Sequence, residues 1–172
     1  NSTVAWYKND GNQNYTQTVI TSTANGVRSV SAADVDGDGH LDVLVAAFDG
    51  DTISWFKNDG SGNFVENIVS SNADGASDVL ARDIDGDGDI DLLSASSTDN
   101  TVAWYENDGN ETFTKHVITA TANGVFSIAV GDVDGDGDLD VLSASYNDDT
   151  VAWYKNDGNQ NFTKQIIDVT AD

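Results

Sequence analysis

Along the chain, apolar side chains recur in runs of five to seven positions, alternating with polar ones and separated by clusters of Asn, Asp and Gly. Alternation with a period of two places one set of side chains on each face of an extended segment. Because β-branched and aromatic residues dominate these runs, each reads as a short strand. No window keeps the i, i+3, i+4 spacing of an amphipathic helix, so the chain is expected to be all-β. In its middle, four strands follow one another at Val27–Ala33, 41–47, 52–57 and 64–69. The segment Phe48-Asp49-Gly50-Asp51 turns the second strand into the third. Asn58-Asp59-Gly60 supplies residues that tolerate positive φ, as a tight hairpin between third and fourth strands requires.

This four-strand pattern repeats. Trp6, Trp55, Trp104 and Trp153 are each 49 residues apart, inside the phrases TVAWYKNDG, TISWFKNDG, TVAWYENDG and TVAWYKNDG. A second phrase keeps the same period: DVDGDGHLD at 34–42, DIDGDGDID at 83–91 and DVDGDGDLD at 132–140. With four Trp phrases and three acidic ones, the chain holds three and a half units: a half unit over 1–25 and whole units over 26–74, 75–123 and 124–172. Short strands in groups of four at a period near 50 are the pattern of β-propeller blades of four antiparallel strands, whereas β-helices and glycine-rich β-rolls repeat at much shorter periods. Opening in mid-unit, the chain is expected to be a segment of a longer or oligomeric assembly. In the third strand, Val4 and Trp6 point to one face and Ala5 and Tyr7 to the other. Blades are covered on both faces by their neighbours, so the Trp phrase is read as core, with an exposed aromatic platform for sugar rings as the alternative.

Composition narrows the partners. The 172 residues carry 30 acidic and 7 basic side chains, a formal charge of −23. Such a chain repels nucleic acid and anionic membranes and calls for a cationic counterpart. No run of 18 apolar residues appears that could form a membrane-spanning helix, and no cysteine exists for a disulfide or thiolate site. The length suffices for one domain that buries roughly 70% of its unfolded surface.

The acidic phrase supplies the cation site. Carboxylates at loop positions 1, 3, 5 and 9, with glycine at 6, let a short loop wrap around a hard cation such as Ca²⁺, which takes six to eight oxygens. The expected ligands are Asp34, Asp36, Asp38, the carbonyl of His40 and Asp42 in the first loop. In the second they are Asp83, Asp85, Asp87, the carbonyl of Asp89 and Asp91. In the third they are Asp132, Asp134, Asp136, the carbonyl of Asp138 and Asp140. Position 12 holds Val45, Ser94 and Ser143 instead of a bidentate Glu, so the bidentate role falls to the Asp at position 9. Asp and Gly are also ordinary turn residues. Four or five carboxylates in nine residues, three times in register, nevertheless repel one another strongly unless a cation screens them. Zinc is not expected without nitrogen or sulfur ligands.

The unit SVxxxDVDGDGxLDVLxAS followed by TVAWYKNDGxxxFT resembles the FG-GAP/VCBS repeat of integrin α-subunit propellers and of many secreted or surface-attached microbial proteins. The resemblance runs over essentially the whole chain. It implies a propeller blade whose loop between the first two strands binds Ca²⁺, and it leaves function open among adhesion, glycan or protein binding, and scaffolding. An enzyme is not expected. His40 lies in a metal loop, and His116, aligned with Val19 and Gln165, has no histidine counterpart; no nucleophile or dinucleotide motif appears. The function expected is a calcium-stabilised module, extracellular or at the cell surface, because such loops hold Ca²⁺ at about 10⁻⁴–10⁻³ M. A filament-forming or matrix protein without ligand recognition is the alternative, and a non-catalytic appendage of a secreted enzyme the third. Self-assembly or continuation of the repeat array is expected because the 3–8 edge lacks its neighbour. Asn1, Asn14, Asn110 and Asn161 head formal glycosylation sequons.

Overall fold

The computed structural model describes residues 2–171, so the sequon at Asn1 lies outside the described residues. Fourteen strands form one two-stranded and three four-stranded antiparallel sheets. The half-blade pairs β1 (Val4–Asn9) with β2 (Tyr15–Thr21). Blade 2 is β3 (Val27–Ala33), β4 (Asp42–Ala47), β5 (Thr52–Asn58) and β6 (Phe64–Ser70). Blade 3 is β7 (Ala76–Arg82), β8 (Asp91–Ser96), β9 (Thr101–Asn107) and β10 (Phe113–Thr119). Blade 4 is β11 (Val125–Gly131), β12 (Asp140–Ser145), β13 (Thr150–Asn156) and β14 (Phe162–Asp168). Within each blade, sequence neighbours pair in order, so the architecture is a β-propeller-like array of blades.

The strand expectations hold to within one residue. Phe48–Gly50 forms a single 3₁₀ turn closed by Asp51 in the left-handed region, as the second-to-third turn requires. The third-to-fourth hairpin differs from a tight two-residue turn: five residues, 59–63, separate β5 from β6. Within Asn58-Asp59-Gly60, only the glycine takes a positive φ, and a second such residue stands two positions later, at Gln13, Gly62, Glu111 and Gln160 in the four units. The aspartate holds this longer loop together. Asp59 Oδ1 accepts the N–H of Ser61 at 2.8 Å, and its Oδ2 accepts the Asn63 side chain at 2.7 Å. Equivalent bonds join Asp10 to the sequon residue Asn14 and Asp157 to the sequon residue Asn161, so both of these exposed amides are already engaged in closing a turn.

The core lies between blades. Leu44, Ile53 and Trp55 of blade 2 meet Val79, Leu92 and Tyr105 of blade 3, and Leu93, Val102 and Trp104 of blade 3 meet Ile128, Val141 and Tyr154 of blade 4. Blades 2 and 3 thus turn their Trp faces to the next blade, and blades 3 and 4 turn their Tyr faces to the previous one. Trp55 sets its ring edge-on to Phe113 at 6.0 Å, while Trp104 stacks on His116 at 4.6 Å. The core reading of the Trp phrase therefore holds at Trp55 and Trp104, which are buried. It fails at Trp6, which is 40% exposed. The reason is tertiary: β1 and β2 have no inner strands beside them among the described residues, which also leaves Val30 and Leu41 more than half exposed. Their counterparts differ: Val79 is buried in the core and Ile90 packs against it. As expected, β1 pairs only with β2, leaving its other edge without a partner among the described residues.

Between the first strands of the blades, Asp78 of β7 ties three blades together. Its Oδ1 accepts Ser29 Oγ at 2.8 Å, and its Oδ2 accepts Ser127 Oγ at 3.1 Å and the N–H of Ile128 at 3.0 Å.

Candidate metal centres

Each acidic loop joins the first and second strands of its blade, and its turns depend on two glycines. The sequence pattern singles out position 6, and Gly39, Gly88 and Gly137 there do have positive φ. So do Gly37, Gly86 and Gly135 at position 4. A Cβ at any of these six would meet nothing within 4 Å, so the need for glycine is conformational and not one of space.

The aspartate at position 1 organises the loop. Asp34 accepts the N–H groups of Asp38 and Gly39 at 3.0 and 2.9 Å. Asp83 accepts those of Gly86 and Gly88, and Asp132 those of Gly135 and Gly137. With the loop so wound, oxygens of Asp34, Asp36 and Asp42 come within 4.8 Å of one another, as do those of Asp83, Asp85 and Asp91. In the third loop the converging set is Asp132, Asp134 and Asp136. Positions 1 and 3 thus meet in all three loops. Position 5 joins only at Asp136, although Asp38, Asp87 and Asp136 all accept the N–H two residues on, from His40, Asp89 and Asp138.

Position 9 does a second job. Asp42, Asp91 and Asp140 are fully buried, and each spends one oxygen on the loop and the other on the next turn. Asp91 Oδ2 accepts Ile84 N–H at 2.9 Å and its Oδ1 accepts Asn107 N–H at 2.8 Å; Asp42 bonds Val35 and Asn58, and Asp140 bonds Val133 and Asn156, in the same way. This carboxylate staples the acidic loop to the Trp-phrase hairpin; in loops 1 and 2 it also belongs to the converging cluster, whereas Asp140, expected as the closing ligand of loop 3, stands outside it. Burial, joined by the charges of Asp85 and Asp87, pushes Asp91 up to about 6 despite those two N–H bonds, and burial likewise raises Asp42. The buried Trp55 indole N–H lies near enough to Asp42 to favour its charge, yet falls short of a hydrogen bond and has no other partner. A cluster of hard oxygens around under-compensated buried charge fits a divalent cation such as Ca²⁺.

The side chains at position 7, which sequence reasoning assigned only a carbonyl, lie against the next hairpin. A Cβ on Gly60 would sit 2.3 Å from His40 Nε2, and one on Gly109 would sit 2.5 Å from Asp89 Oδ2. At Gly60, Gly109 and Gly158 a Cβ would thus displace the position-7 side chain, whereas at Gly11 nothing stands within 4 Å and only φ calls for glycine. The preceding Asn completes the junction: Asn58, Asn107 and Asn156 donate from Nδ2 to the carbonyls of Leu41, Ile90 and Leu139.

Sequence reasoning missed the residue two after each Trp. Lys57 Nζ stands 2.6 Å from Asp36 and 2.5 Å from Glu111 of blade 3. Lys155 Nζ pairs with Asp134 and, at 3.1 Å, with Asp136. In blade 3 the position is Glu106, whose carboxylate accepts from His116 Nε2 at 2.7 Å. The single E in TVAWYENDG was the signal. Strand pairing also corrects the alignment of His116. It stands opposite Trp104 as Thr18 stands opposite Trp6 and Gln165 opposite Trp153, so its counterpart in the first unit is Thr18 and not Val19.

Burial works against the Asp36 carboxylate, but Lys57 and the N–H of Asp38 outweigh it and hold its pKa below the usual range. Asp136 is lowered first by the N–H of Asp138 and then by Lys155. Asp85 moves the other way, raised by burial and by the charges of Asp87, Asp83 and Glu106.

No curated protein matches the chain in sequence. Among solved structures it is similar to a lectin of Agrocybe aegerita, described for its specific recognition of non-reducing terminal N-acetylglucosamine. The TM-score is 0.60 at 18% identity, over 94% of this chain and 46% of that one. The chain therefore spans about half the length of that structure, and the likeness is one of fold. The profile of FG-GAP-like repeats matches residues 1–45, 34–94, 83–143 and 132–172, one span after another along the acidic loops. On that coverage the chain belongs to the FG-GAP-like repeat family.

Proposed function

We propose that the chain is a non-catalytic, calcium-stabilised repeat module working outside the cell or at the cell surface, where its blade junctions bind saccharides or surface proteins. The observation that carries the calcium part is the convergence of three carboxylates in each loop, around a buried aspartate in loops 1 and 2 and at the surface in loop 3. Three bound Ca²⁺ ions would offset six of the 23 excess negative charges, and each would add stability as RT ln(1 + [Ca²⁺]/Kd). The test is a thermal melt in millimolar calcium and in excess chelator, on the parent chain and on Asp85→Ala and Asp99→Ala. Calcium should raise the parent's Tm steeply. Asp85→Ala should lose part of that gain. Asp99→Ala should keep it, since Asp99 only accepts the N–H of Thr101 within a turn at 3.2 Å. A Tm indifferent to chelator would overturn the reading.

The saccharide part rests on a cleft of about 450 Å³ between blades 3 and 4. Phe126 and Tyr146 present exposed rings there, which suit the C–H face of a sugar, beside the amides of Asn100, Asn123 and Asn147 and the hydroxyl of Thr98, which suit its hydroxyls. The similarity to an N-acetylglucosamine-recognising lectin supports the same class of ligand. Glycan-array binding that falls with Tyr146→Ala would support it; an array without hits would remove it. A second reading, association of copies into an oligomer or fibre, is favoured by the uncovered apolar face at Trp6, Val30 and Leu41. A monomeric mass by light scattering in calcium would exclude it.

A further inference from the structure

The three acidic loops share aspartates at positions 1, 3, 5 and 9, and what sets loop 2 apart from both others lies in one position of the adjacent third strand. Lys57 puts an ammonium 2.6 Å from Asp36, and Lys155 puts one against Asp134 and Asp136. At the middle loop the same position is Glu106, which lines a cleft of about 510 Å³ together with Asp85. Loops 1 and 3 therefore carry an internal monovalent cation on the carboxylate at position 3. Loop 2 carries a further anion in its place.

The wider charge sets agree. Loop 1 has four aspartates, Lys57 and, across the blade junction, Glu111 on the far side of that lysine. Loop 3 has five aspartates and Lys155, and loop 2 has five aspartates and Glu106. His116, the hydrogen-bond partner of Glu106, leaves that charge in place while its ring is neutral. Two cations stand near loop 2 without pairing to it: Lys115, which lines the cleft, sets its ammonium over the Tyr105 ring at 6.0 Å, and Arg82 donates to the Ala81 carbonyl. Gln160, facing loop 2 across the next junction, brings no charge.

Resting on the calcium reading above, we propose that the three sites are unequal. Loop 2 is the tight calcium site and the one whose structure depends on the ion, whereas in loops 1 and 3 the ion must displace Lys57 or Lys155 and binds more weakly. A unit charge about 6 Å from a divalent ion in a water-like dielectric changes its affinity about tenfold, and exchanging Lys for Glu changes two such charges, so a gap of about 10- to 100-fold is expected at low salt.

The experiment is calorimetric calcium titration of the intact chain at low ionic strength and mildly alkaline pH, for the parent, E106K and K155E. Hydrogen exchange of the three loops, with and without chelator, accompanies it. The parent should show one tight and two weak sites; limited chelator should release residues 34–42 and 132–140 before 83–91, and excess chelator should speed exchange most at 83–91. E106K should merge the tight site with the weak ones, and K155E should create a second tight site. E106Q, which removes one charge in place of two, should give half the logarithmic loss and keeps the test decisive if E106K folds poorly. Three equal parent sites, or a tight site that survives both E106K and E106Q, would overturn the inference while leaving calcium binding intact. No calcium heat at any loop would overturn the calcium reading itself.

Discussion

The four Trp phrases allow one substitution to be made four times in nearly identical local sequence, and the structure assigns it different costs. Trp104 is 3% exposed and fills the junction between blades 3 and 4, whereas Trp6 is 40% exposed on a face with no inner strands beside it. A fully buried Trp removes about 150–250 Å² from water, and truncating one to Ala in a core costs about 3–5 kcal/mol, because the loss of transfer energy is joined by a cavity. At Trp6 only part of that area is buried, and the open face leaves no enclosed cavity, so Trp6→Ala should cost about 1–2 kcal/mol. Trp153, partly buried on the outer face of blade 4, should fall between them. For a chain of this length, the gap of about 2 kcal/mol between Trp104→Ala and Trp6→Ala is a Tm difference of about 4–8 °C. Urea unfolding followed by far-ultraviolet circular dichroism in millimolar calcium measures it, provided the m-values agree, since repeat arrays can unfold in parts. Losses at Trp6 and Trp104 equal to within about 0.5 kcal/mol would refute the assignment of the two blade faces.

Two further outcomes follow from named groups. In calcium-free protein, burial holds Asp91 at about 6 against an ordinary 3.8, so between those values the folded chain binds more protons than the unfolded one and stability rises as pH falls. The full effect, about 3 kcal/mol, is reached only below 3.8; lowering the pH from about 7 to about 5 realises about 1 kcal/mol of it and should raise the urea midpoint in the parent but not in Asp91→Asn, and a parent midpoint that drops over this range would refute it. Gly11 and Gly109 occupy the same hairpin position with φ of +83° and +71°, but only at Gly109 would a Cβ meet a carboxylate oxygen, Asp89 Oδ2 at 2.5 Å. Gly11→Ala should cost about 1 kcal/mol of left-handed strain and Gly109→Ala more by displacing Asp89, which denaturant midpoints would rank; equal costs would contradict the loop-to-hairpin contact.

The fold was largely legible in the chain itself. A two-residue alternation of apolar side chains needs no partner to be recognised, and its recurrence every 49 residues predicts the blades and places β3 over Val27–Ala33, as observed. The convergence of positions 1 and 3 in the acidic loops was legible for the same reason, since both lie within one wound segment and depend only on local spacing. What could not be read were the relations between segments. That Asp42, Asp91 and Asp140 staple the loop to a hairpin 16 residues away depends on how β4, β8 and β12 lie beside the strands that follow them. That Trp104 is core while Trp6 is not depends on which blade stands beside which face. That a lysine attends two acidic loops and a glutamate the third was written in one letter of the Trp phrase, yet it had no meaning until the sheet carried that letter to the rim of the loop. Local periodicity determined the elements, because strand alternation and loop winding are short-range. Blade packing alone decided the environments, because burial and charge pairing depend on residues that the sequence keeps far apart.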